Sequence, residues 1–259
     1  MFLKLVKHEL HELLRVLIPI YGGLIAFAGV TRGMIWLMSQ NDNPILTVTG
    51  GMFIGLFFVA CLACVILTGV LLLVRFGKSV HGDEGYLTHT LPVGVHSILL
   101  SRLLTSVLFL AVASGVAVLS VWISTWRLDA ISEITESIRY LLESAGLKSD
   151  FWWTILASLF VETITAVLMV FAAISIGHSF NRGKVGFSIL FYFALNTSAS
   201  FISTILSLIL MNTSLFEETA DLSAVTGSSM SLSIAMNLIF CGVYYFLAWI
   251  MTKKRLNLA

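Results

Sequence analysis

Charge is what this sequence lacks most. Asp, Glu, Lys and Arg make up 11% of its 259 residues, where an ordinary soluble domain carries roughly 25%. With 58% hydrophobic residues and a mean hydropathy of +0.97, such a chain cannot cover itself with a water-compatible surface, and it reads as an integral membrane protein. No charged stretch is long enough to form a soluble domain, so residues 1–259 read as a single transmembrane domain. A net charge of +1 leaves no basic surplus to attract nucleic acid. Cysteine is scarce as well. Cys61, Cys64 and Cys241 all lie inside apolar runs, which excludes a disulfide framework and a solvent-facing metal site. Cys61-x-x-Cys64 has no partner ligands and reads as two small core residues.

Catalytic signatures are missing too. His8-Glu9-Leu10-His11-Glu12 resembles the zinc-protease HExxH, but Glu12 stands where the second ligand must be histidine. Chelation needs two imidazoles four residues apart on one helical face, so the run reads as the polar face of a surface helix. Gly77-Lys78-Ser79 ends like a phosphate-binding loop, yet position 72 is Leu and no glycine-rich turn supplies the backbone amides. Glu217-Glu218 has no nearby arginine or histidine and reads as a solvated tip. No polar constellation of the kind an intramembrane enzyme needs lies within the spans. The chain is therefore expected to hold no catalytic residue, cofactor or metal of its own.

What the sequence does have is long apolar runs. A helix needs about 20 apolar residues to cross a bilayer core of about 30 Å. The runs between charges place six spans at about 16–38, 48–74, 98–125, 151–177, 185–211 and 230–252. The expected fold is an all-α, polytopic membrane protein. The fourth span contains Glu162, and the first carries Arg32 near its outer end, where it snorkels to the headgroups or faces the bundle interior. Residues 1–15 set Leu3, Val6, Leu10, Leu13 and Leu14 against Lys4, Lys7, His8, His11 and Arg15, the pattern of an N-terminal interfacial helix. No small-residue cleavage site follows the first span, so a removed signal peptide is not expected. Residues 129–147 repeat that periodicity in the loop after the third span.

Orientation follows from lysine and arginine. With the N-terminus inside, eleven fall on the cytoplasmic side and only Arg32, Arg127, Arg139 and Lys148 outside. This positive-inside asymmetry predicts a multi-pass protein of the plasma membrane with both termini cytoplasmic. All six histidines fall on the same inner side.

The longest inner connection is Arg75–His96. It mixes Tyr86, Leu87, Leu91 and Val93 with glycines and charges, where a mere connector of about 2–8 residues would be polar. Exposed apolar residues among polar ones fit a surface on which another protein docks. They fit equally a loop folded back on its own helix ends. Pro92 disfavours helix at Leu91 and marks a break before a new element.

The run Asp83-Glu84-Gly85-Tyr86-Leu87-Thr88-His89-Thr90-Leu91-Pro92-Val93, following a second span, resembles the first cytoplasmic loop of bacterial ABC exporter permeases of the ABC-2 type. In outline the resemblance covers the whole chain, with six spans and a basic C-terminal Lys253-Lys254-Arg255; its specific part is confined to roughly residues 75–97. It implies a cytoplasmic coupling helix between spans two and three. Gly82, Asp83, Glu84, Gly85, Tyr86, Leu87, Thr88, Leu91 and Pro92 would then dock a separate ABC ATPase subunit. His89 departs from the small or apolar residue expected there. The resemblance further implies two ATPase copies carrying ATP and Mg, and a second permease subunit, identical or paralogous. It also implies a peptide substrate, since some relatives export bacteriocins, lantibiotics or phenol-soluble modulins.

Two functions compete. One is a permease subunit without enzymatic chemistry of its own, exporting amphipathic peptides when an ATPase drives it. The other is a secondary transporter or channel working alone, in the lipid bilayer without an ATPase. Such proteins usually bury several ionisable groups at the midplane, and here Glu162 is the single one, expected either to make a structural bond to a neighbouring helix or to line a substrate path.

Overall fold

The computed structural model describes residues 2–40, 43–81, 94–125, 136, 140, 151–180, 183–211 and 222–254. Among them all regular structure is helical, and six helices are long and apolar enough to cross a membrane. The helices are α1 (Phe2–Gln40), α2 (Pro44–Phe76), α3 (Val95–Thr125), α4 (Phe151–Gly177), α5 (Lys184–Met211) and α6 (Leu222–Lys254). A single π-helical turn, Gly77–His81, extends α2. The fold class read from hydropathy is thus the one observed. The outer segment 129–147 lies outside the described residues, apart from Glu136 and Tyr140.

Residues 2–15, expected as an interfacial helix, continue into the first span without a break. Pro19 lies inside this helix and has no N–H to give to the carbonyl of Arg15. Helix α2 starts on an Asn-Pro pair. The Asn43 side-chain oxygen accepts the Ile45 N–H at 3.1 Å, and Pro44 occupies the first helical position, where a missing N–H costs nothing.

The chain falls into two compact units. Unit 1 comprises Met1–Leu72 and Leu104–Glu136; unit 2 comprises Leu73–Leu103 and Ser137–Ala259.

Unit 1 has a core in which each helix contributes one stripe. Leu13, Leu17, Tyr21, Leu24 and Ala28 come from α1, Phe57, Cys61, Cys64 and Leu72 from α2, and Phe109 and Ala113 from α3. Both α2 cysteines are therefore core residues, as their setting in the sequence implied. Lipid tails are as apolar as these side chains, so close packing and buried hydrogen bonds hold the helices together rather than escape from water. Tyr21 supplies such bonds: its hydroxyl lies 3.3 Å from Thr68 Oγ1 and donates to the Phe109 carbonyl at 3.5 Å. Arg32 is half-buried and donates from Nη1 to the Ile123 carbonyl at 3.1 Å. It faces the bundle, where the last turn of α3 presents carbonyls that favour a cation.

The zinc-protease-like run in α1 divides its labour. His8 and Glu12 form an exposed pair one turn apart at 3.5 Å, worth little in free energy. Glu9 is 2% exposed and accepts a hydrogen bond from Thr105 Oγ1 at 3.0 Å. The expected polar surface face thus includes one carboxylate that is buried. No group of three metal-ligating side chains occurs among the described residues.

Unit 2 is built around the second half of α4, which packs against α5, α6 and the π-turn. From Thr165 to Ser175 this helix is buried on nearly all sides. Phe76 at the end of α2 stacks flat on Phe171, with ring centroids 3.7 Å apart. His96 Nδ1 lies 2.8 Å from the Tyr245 hydroxyl, and its ring stacks on Trp249. Ser179 donates to Met251 Sδ at 3.8 Å. The ends of α2, α4 and α6 and the starts of α3 and α5 therefore gather at one end of the unit. That end carries Arg75, Lys78, His96, His178, Lys184 and Lys253.

A tight turn joins α4 to α5. It uses Gly183 at φ +70°, and the Gly183 carbonyl accepts the Phe187 N–H at 3.0 Å. The helices meet at Gly177. A methyl group there would lie 2.6 Å from the backbone nitrogen of Ser188 and 2.7 Å from its Cα, and would also strike its hydroxyl. Backbone cannot swing aside as a side chain does. Gly177→Ala is expected to destabilise the α4–α5 pair by about 1–3 kcal/mol. Gly186→Ala, with nothing within 4 Å of the new carbon, should be neutral. Thermal unfolding of the two variants in one detergent checks this, and equal melting temperatures would remove the close contact.

Candidate functional site

Two places in the sequence were candidates: the connection 82–92 and Glu162. The connection lies outside the described residues, so Gly82, Asp83, Glu84, Gly85, Tyr86, Leu87, Thr88, Leu91 and Pro92 keep the standing the sequence gave them. Its two attachment points are described. On one side is the π-turn Gly77–His81. On the other is the first turn of α3, where the Gly94 carbonyl accepts the N–H groups of Ser97 at 2.9 Å and Ile98 at 3.3 Å. π-turns cost hydrogen-bond geometry and occur disproportionately at functional positions. This one leads directly into the segment that the sequence singled out.

Glu162 is the twelfth residue of the 27-residue α4. It sits where α4 emerges from its cover. Toward the C-terminus the helix is surrounded, whereas toward the N-terminus Leu156, Leu159 and Phe160 are exposed. Glu162 and Ala166, one turn on, are exposed with them, and Ser158 is half-buried with its hydroxyl given to the Ile155 carbonyl at 2.8 Å. Among the described residues Glu162 makes no hydrogen bond or ion pair. A charge left against hydrocarbon at this depth costs at least about 2.5–3.5 kcal/mol. The face of α4 that carries Glu162 is therefore suited to a polar path or to a further subunit, rather than to lipid.

Thr165, one turn from Glu162, is covered where Glu162 is exposed. It is buried and donates both to the Val161 carbonyl at 2.9 Å and to the Asn237 carbonyl of α6 at 3.1 Å. Next to that contact, α5 and α6 enclose a cavity of ≈ 370 Å³ lined by Ser203, Thr204, Ser207, Ser233 and Asn237, with apolar residues between them. The hydroxyls of α5 are partly satisfied within the helix: Ser203 donates to the Ala199 carbonyl at 2.8 Å, Thr204 to the Ser200 carbonyl at 2.8 Å and Ser207 to the Thr204 carbonyl at 2.8 Å. Their oxygens keep lone pairs for an amide or ammonium donor.

Attention to charge alone missed this polar patch. The signal was present in the α5 run Asn196-Thr197-Ser198-Ala199-Ser200, followed by Ser203, Thr204 and Ser207, all inside one span. Spacings of three and four residues put Ser200, Ser203, Thr204 and Ser207 on one helical face. What the site offers chemically is acceptance of hydrogen bonds and one mid-span carboxyl. No family model, curated protein or solved structure matches the chain.

Proposed function

We propose that this chain is the membrane-spanning permease subunit of an ATP-driven exporter, with a separate ATPase docking on residues 82–92. Its substrate on this reading is an amphipathic peptide carried outward across the plasma membrane. The observation that carries the transport part is Glu162: a mid-span carboxyl on an exposed face, without a described partner. A second permease copy or paralogue facing α4 would give that carboxyl a polar surrounding, and basic peptides would meet its charge.

The ATPase part rests on the residue run Asp83–Val93 and on its setting between a π-turn and a helix start. ATP and Mg belong to the partner on this reading, since no glycine-rich phosphate loop precedes Gly77-Lys78-Ser79. Both termini face the cytoplasm, in keeping with the gathering of basic residues at one end of unit 2. A secondary transporter or channel needs no such docking segment and usually buries several ionisable groups.

Coexpression with a candidate ABC ATPase subunit, purification through a tag on this chain and reconstitution in liposomes tests the reading. A stable complex is expected, with ATP hydrolysis stimulated by amphipathic cationic peptides. Absence of any complex, together with transport by this chain alone, would favour the stand-alone transporter.

A further inference from the structure

At its basic end, unit 2 contains a cleft of ≈ 550 Å³ that no step of the proposed transport uses. The volume falls within the range of small-molecule sites, roughly 300–1,000 Å³. Its walls come from the ends of three helices. Val74 belongs to α2, Val170 and Ile174 to α4, and Ile189 to α5, while Lys78 of the π-turn and His178 stand at the rim. Along α4 and α5 the lining extends about two helical turns, roughly 11 Å, from the rim toward the middle of the unit. The wall hydroxyl nearest the rim is not offered to the cleft, because Ser188 donates to the Lys184 carbonyl at 2.9 Å. Val74, Val185 (70% exposed) and Ile189 are exposed lining residues, so the cleft opens sideways on the apolar surface of the unit.

The rim is positive, and among the described residues no acidic side chain lines it. Lys78 is exposed and makes no ion pair with a described acidic side chain. Lys184 is the first residue of α5, and no acid lies in that helix's first turn. A cation there opposes the helix dipole, whose amino end already carries about half a positive charge. An anion at the rim would pair with Lys78. Unsatisfied N–H groups at the start of a helix are themselves suited to phosphate oxygens.

We propose that the cleft binds an anionic phospholipid, with one acyl chain between α2, α4 and α5 and the phosphate against Lys78, His178 and the first turn of α5. An apolar slot open on the apolar surface of the unit, with the Lys78 ammonium at its rim, matches an amphiphile of that charge. Basic pockets between spans hold acidic headgroups in this way. The lipid lies against Gly77 and Lys78 of the π-turn that leads to residues 82–93. None of this depends on the exporter reading, since every residue involved belongs to unit 2.

The test uses the full chain in phosphatidylcholine vesicles containing a trace of phosphatidylglycerol with a photoactivatable acyl chain. A phosphatidylcholine probe with the same chain is used in parallel. Cross-linked peptides are identified by mass spectrometry. Wild-type protein is expected to be labelled on residues 73–78, 170–178 and 185–192 by the anionic probe, about tenfold more than by the zwitterionic one. Lys78→Gln with His178→Gln should bring the anionic probe down to the zwitterionic level. Ile189→Trp, which fills the slot from an exposed position, should block both probes. Excess inorganic phosphate should displace nothing, because the acyl chain supplies most of the hold.

Equal labelling of wild-type protein by the two probes would overturn the proposal whatever the variants do. So would displacement by phosphate alone, or anionic labelling that survives both sets of substitutions.

Discussion

Tyr86→Ala combined with Leu91→Ala is expected to leave the spans inserted and the protein expressed, yet to lose the ATPase. Neither residue lies in a span expected from the sequence, so insertion has no reason to change. In an interface, by contrast, aromatic and apolar anchors seated in pockets carry most of the binding energy, at about 2 kcal/mol or more each. Together the two truncations should weaken the complex by roughly a thousandfold, enough to abolish copurification and peptide-stimulated hydrolysis. Asp83→Asn with Glu84→Gln makes the comparison. On the proposed reading these charges meet the ATPase at a solvated rim, where an opposing lysine or arginine mainly sets register, and the loss should stay below about tenfold. If the alanine pair binds and stimulates the ATPase like wild type, residues 82–92 are a connector only, and the exporter reading loses its main support.

Changing the charge at position 162 should separate passage from folding. Glu162→Gln keeps the size and most of the hydrogen-bonding capacity while removing the negative charge. Because the side chain is exposed on α4 and has no described partner to abandon, expression and melting temperature should hold. Export of a cationic peptide should fall by about tenfold, the equivalent of about 1.4 kcal/mol in one favourable contact. Glu162→Lys should lower it by about a hundredfold, because attraction is replaced by repulsion. An uncharged peptide of the same length should be moved by both variants at nearly the wild-type rate. Transport measured in liposomes decides the matter: a Gln variant that exports the cationic peptide at full rate would make Glu162 a purely structural residue. A Gln variant that no longer assembles with the second permease would place the same carboxyl at a subunit contact instead.

The helices themselves were legible in the sequence, and for one reason. In hydrocarbon every backbone N–H and C=O must be satisfied within the segment, so an apolar run of sufficient length has only the helix open to it. Span positions therefore needed no knowledge of partners, and the spans expected to end at 74, 125 and 252 correspond to helices that end at Phe76, Thr125 and Lys254. The Asn43-Pro44 start of α2 is of the same local kind. The polar patch on α5 was written in the sequence as well, but in hydroxyls, which carry no charge to draw attention.

Position within a face was another matter. Nothing in the order of residues 8–12 told Glu9, which is buried against Thr105, from Glu12, which is exposed beside His8; the two are three residues apart on one helix, and only the approach of α3 distinguishes them. Arg32 was compatible with headgroups or with the bundle until the end of α3 brought the Ile123 carbonyl within 3.1 Å. Gly177 looked like a helix end, and it became a contact only because the backbone of α5 passes at that point.

Hydropathy and charge asymmetry, being sums over single residues, determined by themselves that this chain crosses the membrane and which end of each span is expected inside. The outward face of Glu162, the cleft under the π-turn and the burial of Glu9 were decided by tertiary structure alone. Each depends on which helices become neighbours, and in a membrane that choice turns on close packing and a few hydrogen bonds among side chains that the lipid would accept equally well.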